Sequence, residues 1–447
     1  MKHTKHLMLS FAVAAATVTL VSCSDDNAVI NPAEAEENEK VAALTAINKQ
    51  YIEGTVYPTY ELLADSTDCL FDALHAIKLK LRHAPETLTD AEVAEACETF
   101  LRARSNYETS EAFLYGAASD FGIDPHIDSW PLDLQGLAVA LTNTAQIAAM
   151  DTYEEGGQDD PERFTGDTYA GEKLGQALLG FHGIEFILFR EGKPRTADDL
   201  RGTDNYSGTA LAGRYAVSGL HEIIFATAVA GDLRNKCWQM EVSWNANAPA
   251  EHIAKVEDME WPYTLGGSGL SYGENFLRAG QQGSTYASVR KAVEAILVAG
   301  CANIADEVGM TKIGKPHTGE DVNYIESPYS HMSLVDFQDN ILGIENAYMG
   351  GRLGTHRNET LSLHAYMQKH HPELDTKVVN AIAAAKQKIA ACPAPFVLNY
   401  TDARVAEASA ACTDLSDALI EASTAILREY GGGCSCRGQS PTPVRIA

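Results

Sequence analysis

The sequence predicts an all-α fold, organised as two bundles of antiparallel helices. Hydrophobic residues make up 45% of the 447 residues, which is enough for a large core. Alternating apolar and polar runs, which are typical of strands, are scarce. Apolar residues instead recur at spacings of three and four, most regularly at Val405, Ala408, Cys412, Leu415, Leu419, Ala422 and Ile426.

The first 22 residues have the features of an export leader. Lys2 and Lys5 precede an apolar run at 7–21, which is shorter than the roughly 20 residues that a membrane-spanning helix needs. A short apolar run behind basic residues is typical of a signal segment that is removed from the mature protein. We therefore expect residues 1–22 to be a lipoprotein signal peptide outside the folded body.

Cys23 follows this leader directly. The small residue Ser22 before it is typical of a lipoprotein cleavage box, so we expect a lipidated Cys23 that anchors the mature chain in a lipid bilayer. Asp25 and Asp26 are similar to the surface-export signal of some outer-membrane lipoproteins. We expect an outer-membrane location, at the cell surface or facing the periplasm, with the acidic segment 23–39 as a tether.

Helical patterns follow one another along the rest of the chain. We predict an N-terminal bundle at 40–204, a C-terminal bundle at 205–431 and a flexible tail at 432–447. The run Gly183-Ile184-Glu185 recurs at 343–345, so the bundles are either related by internal duplication or alike by chance. Helical spacing is found at 41–65, 67–83, 89–116, 132–150, 172–190, 208–235, 284–308, 331–349, 359–371 and 376–391.

The formal charge of the chain is −27. A surface of this charge repels phosphate backbones, so nucleic acid is excluded as a partner. A strongly acidic surface mainly promotes solubility, although it is also compatible with attracting cations. The charge therefore leaves a small ligand or a metal ion as the expected partner, beside the lipid bilayer.

The segment 177–189 carries only two side chains that can be charged, His182 and Glu185. A helix that is apolar all round lies inside a protein, and at this spacing the two side chains share one face. A buried ionised carboxylate needs a cation, a metal ion or a dense set of hydrogen bonds. Imidazole and carboxylate donors together suit zinc, iron or manganese, so both residues are predicted metal ligands. The alternative is a structural His–Glu pair held by Arg or Tyr.

A second helix offers partners for this pair. Arg104, Tyr107 and Glu111 lie at spacings of three and four, and therefore on one face. We expect Arg104 and Tyr107 to hydrogen-bond a buried carboxylate, and Glu111 to be a third metal ligand. This group supports the site only if its helix packs against the segment at 177–189.

A polar stripe in the second half of the chain is the third candidate. Ser330 precedes a helical pattern and suits a helix N-cap, while Asp336 and Asn340 share one face of the helix that follows. These residues would line or support a ligand pocket. The alternative is an ordinary capped amphipathic helix with a polar face.

These residues together resemble the imelysin-like family, which is named after insulin-cleaving membrane peptidases. The run 180–185 resembles its G-x-H-x-x-E signature; 56–60, 104–113, the tryptophan–proline step at Trp130 and 330–350 are similar to its other motifs, in the same order. The resemblance implies two helical bundles with the His–Glu site near their junction, and places Trp130 beside that site. It also implies a lipoprotein or periplasmic protein linked to iron regulation or uptake.

Three functions stay open at this point. We favour a protein that binds iron, zinc or a metal-bearing ligand, because a catalytic zinc usually has three protein ligands and a water. A metallopeptidase that uses His182 and Glu185 is the first alternative, although the nearest zincin-like string, which begins at His221, has Phe225 where the second His would stand. A metal-free surface interaction protein is the second. No residue is assigned to catalysis.

Overall fold

The computed structural model of the protein describes residues 31–151 and 165–429, and confirms an all-α fold. The predicted leader, Cys23 and the tail at 432–447 lie outside the described residues. In the described part, strands form only two short antiparallel pairs. No helix there combines the length and the apolar character needed to cross a bilayer.

Most of the described residues belong to helices, several of which run into one another. The α-helices are α1 (Pro32–Tyr51), α2 (Tyr57–His83), α3 (Asp90–Ser110), α4 (Ala117–Asp120), α5 (Asp124–Ile127), α6 (Leu134–Thr142), α7 (Thr144–Met150), α8 (Gly166–Lys173), α9 (Gly180–Leu188), α10 (Ala197–Arg201), α11 (Gly219–Trp244), α12 (Ala250–Asp258), α13 (Tyr272–Leu277), α14 (Val289–Glu294), α15 (Asn303–Asp306), α16 (Gly314–Thr318), α17 (Ser333–Tyr348), α18 (Leu363–His370), α19 (Pro372–Ala390), α20 (Phe396–Asn399) and α21 (Ala403–Arg428).

Shorter elements join or interrupt these helices. The π-helical segments are π1 (Ile52–Val56), π2 (Ala295–Ala302) and π3 (Glu307–Ile313). The 3₁₀ turns are Pro85–Thr87, Glu111–Phe113, Gln176–Leu178 and Glu359–Leu361. The strands are β1 (Phe189–Arg190), β2 (Lys193–Pro194), β3 (Thr203–Asp204) and β4 (Val217–Ser218), which pair as β1–β2 and β3–β4.

Helix α1 begins inside the predicted tether. The side chain of Asn31 accepts a hydrogen bond from the N–H of Ala33, Pro32 stands at the first helical position, and Glu34 lies in the first turn. Each of these features favours a helix start at this point. The helix is then held to the body by the ion pair between Glu37 and Arg290, so the second half of the predicted tether belongs to the folded part.

The first group of helices is built around α11, which is buried along most of its length. It packs against α2, α8, α9 and α12, and α2 packs in turn against α3. Because α11 follows residue 205, a helix beyond the predicted bundle boundary lies among helices that precede it. The division of the chain at residue 205 stays a prediction.

The second group consists of the rod at 289–318, formed by α14, π2, α15, π3 and α16, with α17, α19 and α21. Helix α21 packs against α19 and against the rod, and α17 packs against α19. The two groups meet where α17 lies against α3, and one continuous apolar core includes residues of both. The loop at 319–332, between α16 and α17, reaches across this contact to α9.

Candidate metal centre

The helix that carries His182 and Glu185 lies in the interior, as predicted. Every residue of α9 is buried. Its first residue, Gly180, has a φ of 65°, and a Cβ at that position would lie 1.7 Å from the carbonyl oxygen of Ile127. Only glycine permits this approach, which holds the start of α9 against the segment that leads to Asp128.

Glu185 is held chiefly by hydrogen bonds. Its Oε1 accepts three, from the N–H of Tyr329 at 3.0 Å, the N–H of Ser330 at 2.7 Å and the Ser330 hydroxyl at 2.7 Å. Its Oε2 lies 3.6 Å from Nδ1 of His182, and no described residue is within hydrogen-bond distance of that oxygen. The structure therefore brings Ser330 to Glu185, from the opposite side of the contact between the two helix groups.

His182 lies between two carboxylates. Its Nε2 is 3.2 Å from Oδ1 of Asp128, and its Nδ1 faces Glu185. Burial alone disfavours the imidazolium, but Asp128 and Glu185 outweigh burial and raise the pKa of His182 to about 9. Although burial also opposes ionisation of Asp128, Arg104 and His182 hold the pKa of that carboxyl well below its usual range.

Asp128 connects this pair to a group of four acids, which we term the carboxylate cluster. Its members are Glu108, Glu111, Asp128 and Glu326, all buried, and each offers an oxygen within 4.8 Å of the others. Across 31–151 and 165–429, no other group of three or more His, Cys, Asp or Glu side chains has this geometry. Glu111 is thus placed in the cluster, whereas His182 and Glu185 lie beside it.

Besides His182, whose ring lies beside Asp128, two further cations and one amide contact the carboxylate cluster. Arg104 pairs with Glu108, Asp128 and, at 2.6 Å, with Glu326. The amide nitrogen of Asn340 donates to Oε2 of Glu108 and of Glu111, at 2.7 Å each. Lys312 Nζ lies 2.7 Å from Glu111, 3.1 Å from Glu326 and 3.4 Å from Glu108.

The buried acids outnumber these cations. Burial raises the pKa of Glu111 well above its usual range and that of Glu326 to about 7, with Glu108 adding repulsion in both cases. The pKa of Asp336 is also well above its usual range, again because of burial first and Glu108 second. One oxygen each of Glu326 and Asp336 has no hydrogen-bond partner among the described residues. Protons or a further cation are therefore needed to balance the charge.

Tyr107 contacts a carboxyl group outside the carboxylate cluster. Its hydroxyl donates to Asp124, a carboxyl outside the cluster whose pKa is raised to about 6, mainly by burial. Its ring packs against Phe181, which also contacts the guanidinium of Arg104. Tyr107 thus donates to a carboxylate, but Asp124 is partly buried and does not face His182 or Glu185.

A cavity of about 270 Å³ adjoins His182. Trp130 forms part of its wall, with the Trp130 ring centroid 3.8 Å from that of Tyr324 and 6.4 Å from that of His182. The lining is mostly apolar and consists of Trp130, Pro131, Leu132, His182, Val322, Asn323, Ile325, Pro328, Tyr329 and Val397. The cavity gives a small ligand a route to the His182 side of the site.

Four residues of the site were not predicted as site residues: Glu108, Asp128, Lys312 and Glu326. Glu108 had a usable signal, since it lies on the same helix four residues after Arg104 and three before Glu111. Lys312 had another signal, because it is the one residue in the stretch 308–314 that can carry a charge. Asp128 and Glu326 stand in irregular segments, where no period indicates burial.

The donors of the carboxylate cluster fit a metal ion of intermediate or hard character. Carboxylate oxygens with a nearby imidazole suit iron, manganese, magnesium or zinc, whereas copper(I) prefers thiolates. The unpartnered Oε2 of Glu326 is one donor available to such an ion. Arg104 and Lys312 already contact oxygens of the carboxylate cluster. A metal ion that enters the cluster would therefore share those oxygens with the two side chains or displace the side chains from them.

The site lies within the part of the chain that matches known proteins. A family model described as imelysin matches residues 56–424. Iron-regulated protein A of Synechococcus elongatus is 26% identical over 375 residues, which cover 83% of each chain.

Two crystal structures are similar in fold. An iron-regulated protein A precursor from Parabacteroides distasonis is 25% identical, with a TM-score of 0.65, over 86% of this chain and 95% of that one. An imelysin-like protein from Psychrobacter arcticum 273-4 is 14% identical, with a TM-score of 0.50, over 88% of this chain and 94% of that one. The second likeness concerns the fold alone.

Proposed function

Because this chain belongs to the imelysin family, we propose that it is a cell-envelope protein that binds a metal ion at the carboxylate cluster. One observation carries the proposal: four buried carboxylates converge within 4.8 Å at the contact between the two helix groups. Acids rarely gather in this way in a protein interior unless something positive compensates them. A bound cation would replace the protons that Glu111 and Glu326 otherwise retain.

We propose that Glu108, Glu111, Asp128 and Glu326 supply oxygen ligands. His182, 3.2 Å from Asp128, would add a nitrogen donor from the side of the cavity, and Glu185 would hold the His182 ring. A ligating imidazole must be neutral, so metal would compete with the proton that His182 retains up to about pH 9. Binding is therefore expected to release protons.

Iron is the metal that we propose first. The relatives from Synechococcus elongatus and Parabacteroides distasonis carry names that refer to regulation by iron. The donor set itself accepts iron(II), manganese(II) or zinc(II). A role in iron uptake or regulation is consistent with those names, and the cavity beside His182 would admit a small metal-bearing ligand as well as a free ion.

A metallopeptidase reaction has less support. A catalytic zinc usually has three protein ligands and an open position, but no group of three donors among the described residues includes both His182 and Glu185. Oε1 of Glu185 accepts three hydrogen bonds, and its Oε2 faces His182 at 3.6 Å, so the carboxylate is positioned by the loop and the imidazole. We therefore retain binding as the proposed function.

The test is metal binding by the purified protein, measured by elemental analysis and by calorimetric titration with iron(II), manganese(II) and zinc(II). We expect about one ion per chain, and at least about tenfold weaker binding in Glu326→Gln and Glu111→Gln, since each loses a charged ligand. Glu241→Gln is the matched control, because Glu241 is a buried carboxylate that pairs with His252 outside the cluster. Absence of binding, or equal binding by all variants, contradicts the proposal and leaves a metal-free interaction protein.

We also propose that the chain is a lipoprotein anchored through Cys23. The support is the leader, with its basic start, short apolar run and small residue before Cys23. Labelling of cells with a radioactive fatty acid tests this proposal. Label is expected on the wild-type protein and not on Cys23→Ser, and an unlabelled wild-type protein would rule the anchor out.

A further inference from the structure

Lys312 is a lysine in an unusual position. Its side chain is 1% exposed, and its ammonium lies within 3.4 Å of three members of the carboxylate cluster. Lysines are rarely buried to this degree unless they are paired. Here the ammonium contacts Glu108, Glu111 and Glu326 at once, so it occupies the kind of position that a ligated cation would occupy.

The same oxygens cannot serve Lys312 and a metal ion equally well. Glu111 Oε2 and Glu326 Oε1 are the two nearest acceptors of the ammonium, and both residues belong to the proposed ligand set. Two positive charges within a few ångström of each other repel strongly in a poorly screened interior. A second observation indicates that the cluster has capacity for another ligand: Oε2 of Glu326, fully buried, has no hydrogen-bond partner among the described residues.

The backbone around Lys312 departs from α-helical geometry. Lys312 lies in π3, where backbone hydrogen bonds join residues five apart instead of the four of an α-helix. Conversion of such a segment to α-helix shifts the register by one residue and turns the side chains by about 100° around the axis. The segment is bounded by Gly314, where a Cβ would lie 2.9 Å from the carbonyl oxygen of Gly309.

We propose that Lys312 is a resident counter-cation that competes with the metal for the carboxylate cluster. This inference rests on the proposed metal-binding function and adds its specificity-determining residue. Metal entry requires the Lys312 ammonium to leave Glu111 and Glu326. Only ions that bind carboxylates strongly enough to displace it are retained, which disfavours monovalent ions and weakly held divalent ions.

The test compares the affinity of the full chain for zinc(II) and manganese(II) before and after removal of the charge at position 312. Lys312→Met keeps the length of the side chain and removes its charge, and we expect its dissociation constant to be at least about tenfold lower than that of the wild type. Lys312→Gln keeps a hydrogen-bond donor and serves if the methionine variant does not fold. Lys78→Met is the control, because Lys78 is another buried lysine, 3.8 Å from Asp151, and its removal is expected to leave the affinity unchanged.

The outcomes separate this inference from the proposed function. Tighter binding in Lys312→Met or Lys312→Gln, with the control unchanged, supports both. Equal or weaker binding in the position-312 variants, with a wild type that does bind metal, overturns the role of Lys312 and leaves the metal-binding function in place. No binding by any of these proteins overturns both.

Discussion

At Glu185, three donors converge on a single carboxylate oxygen. Two of them are backbone N–H groups of the loop before α17, at Tyr329 and Ser330, and the third is the Ser330 hydroxyl. Several such bonds stabilise a buried carboxylate, and the imidazole of His182 faces the other oxygen of Glu185 at 3.6 Å. Glu185 therefore joins α9 to the second helix group, whether or not it binds a metal.

Substitution at Glu185 tests this role. In Glu185→Gln an amide oxygen still accepts from the loop, so we expect a loss of about 1 kcal/mol in the free energy of unfolding. In Glu185→Ala the loop donors lose their acceptor, and we expect a loss of about 3 kcal/mol. Chemical denaturation of the two variants measures the difference, and equal losses would contradict the role of Oε1 as the shared acceptor.

Glu222 gives the protein a pH dependence that is independent of the carboxylate cluster. It is buried beside Arg195 at 2.7 Å and Arg190 at 3.8 Å, and Asp204 also faces it. Burial outweighs the two arginines and raises the pKa of Glu222 from 4.5 to about 7. The folded state therefore holds this proton more tightly than the unfolded state does.

The consequence is a loss of stability with rising pH. The contribution of protonated Glu222 is fully present below pH 4.5 and is lost as the pH rises through about 7, a change of about 3 kcal/mol. Denaturation of wild type and Glu222→Gln at pH 4.5, 6 and 8 measures it: the stability difference between them should change across this window. A constant difference would show that the pKa of Glu222 is not raised.

At the scale of elements, the site depends on close contact between α3 and α17. A Cβ at Gly343 of α17 would lie 2.4 Å from the carbonyl oxygen of Thr109, which stands between Glu108 and Glu111. The clashing atom belongs to the backbone, so it cannot move aside by a change of rotamer as a flexible side chain can. A larger residue at position 343 must therefore displace the segment that carries two of the proposed ligands.

We expect Gly343→Ala to lower the free energy of unfolding by about 2 kcal/mol and to weaken metal binding. Gly175→Ala is the control, because no atom lies within 4 Å of a Cβ there and its φ of −73° suits alanine. It should change stability by no more than about 0.5 kcal/mol. Thermal unfolding and calorimetric titration of both variants are the measurements, and a fully stable Gly343→Ala would show that the contact is not required.

Sequence periodicity predicts the regular elements well and their interruptions poorly. The pattern at 331–349 corresponds to α17, but the predicted N-cap Ser330 is wrong: the N-cap position is Met332, and the Ser330 hydroxyl donates to Glu185 instead. The single helix predicted at 172–190 is interrupted at 174–179, and α9 begins at Gly180, whose left-handed backbone permits its approach to Ile127. The helix predicted at 208–235 lies instead at α11, because the residues before it pair as β3 and β4. Both differences come from tertiary contacts, which the spacing of apolar residues along the chain does not predict.

At the scale of the whole molecule, the site too depends on tertiary contacts that the spacing of residues in the sequence does not predict. His182 and Glu185 can be predicted from sequence because charge is rare in an apolar run, and the burial of both follows from it. Asp128 and Glu326 cannot, since they reach the site from irregular segments that are far apart in the chain. The excess of buried carboxylates over buried cations arises only where the two helix groups pack together, so no single segment of the sequence predicts it.

Metal binding is expected to stabilise the whole protein. At a free metal concentration of one hundred times the dissociation constant, the gain is about 2.7 kcal/mol, or about 3 °C in Tm for a chain of this size. Differential scanning fluorimetry with manganese(II) or zinc(II) measures the shift. The wild type and Glu241→Gln should show it, and Glu326→Gln should show about half of it or less, since tenfold weaker binding leaves a gain of about 1.4 kcal/mol. A shift retained in full in Glu326→Gln would place the metal elsewhere.

The most direct measurement is X-ray diffraction from crystals of the protein grown with manganese(II) or zinc(II), with data collected at the absorption edge of the metal. We expect one anomalous peak between the side chains of Glu108, Glu111, Asp128 and Glu326, about 2.0–2.3 Å from their coordinating oxygens. The Lys312 ammonium should have left its position beside Glu111. No peak at a saturating metal concentration, or a peak that none of these four residues contacts, would contradict the proposed metal centre.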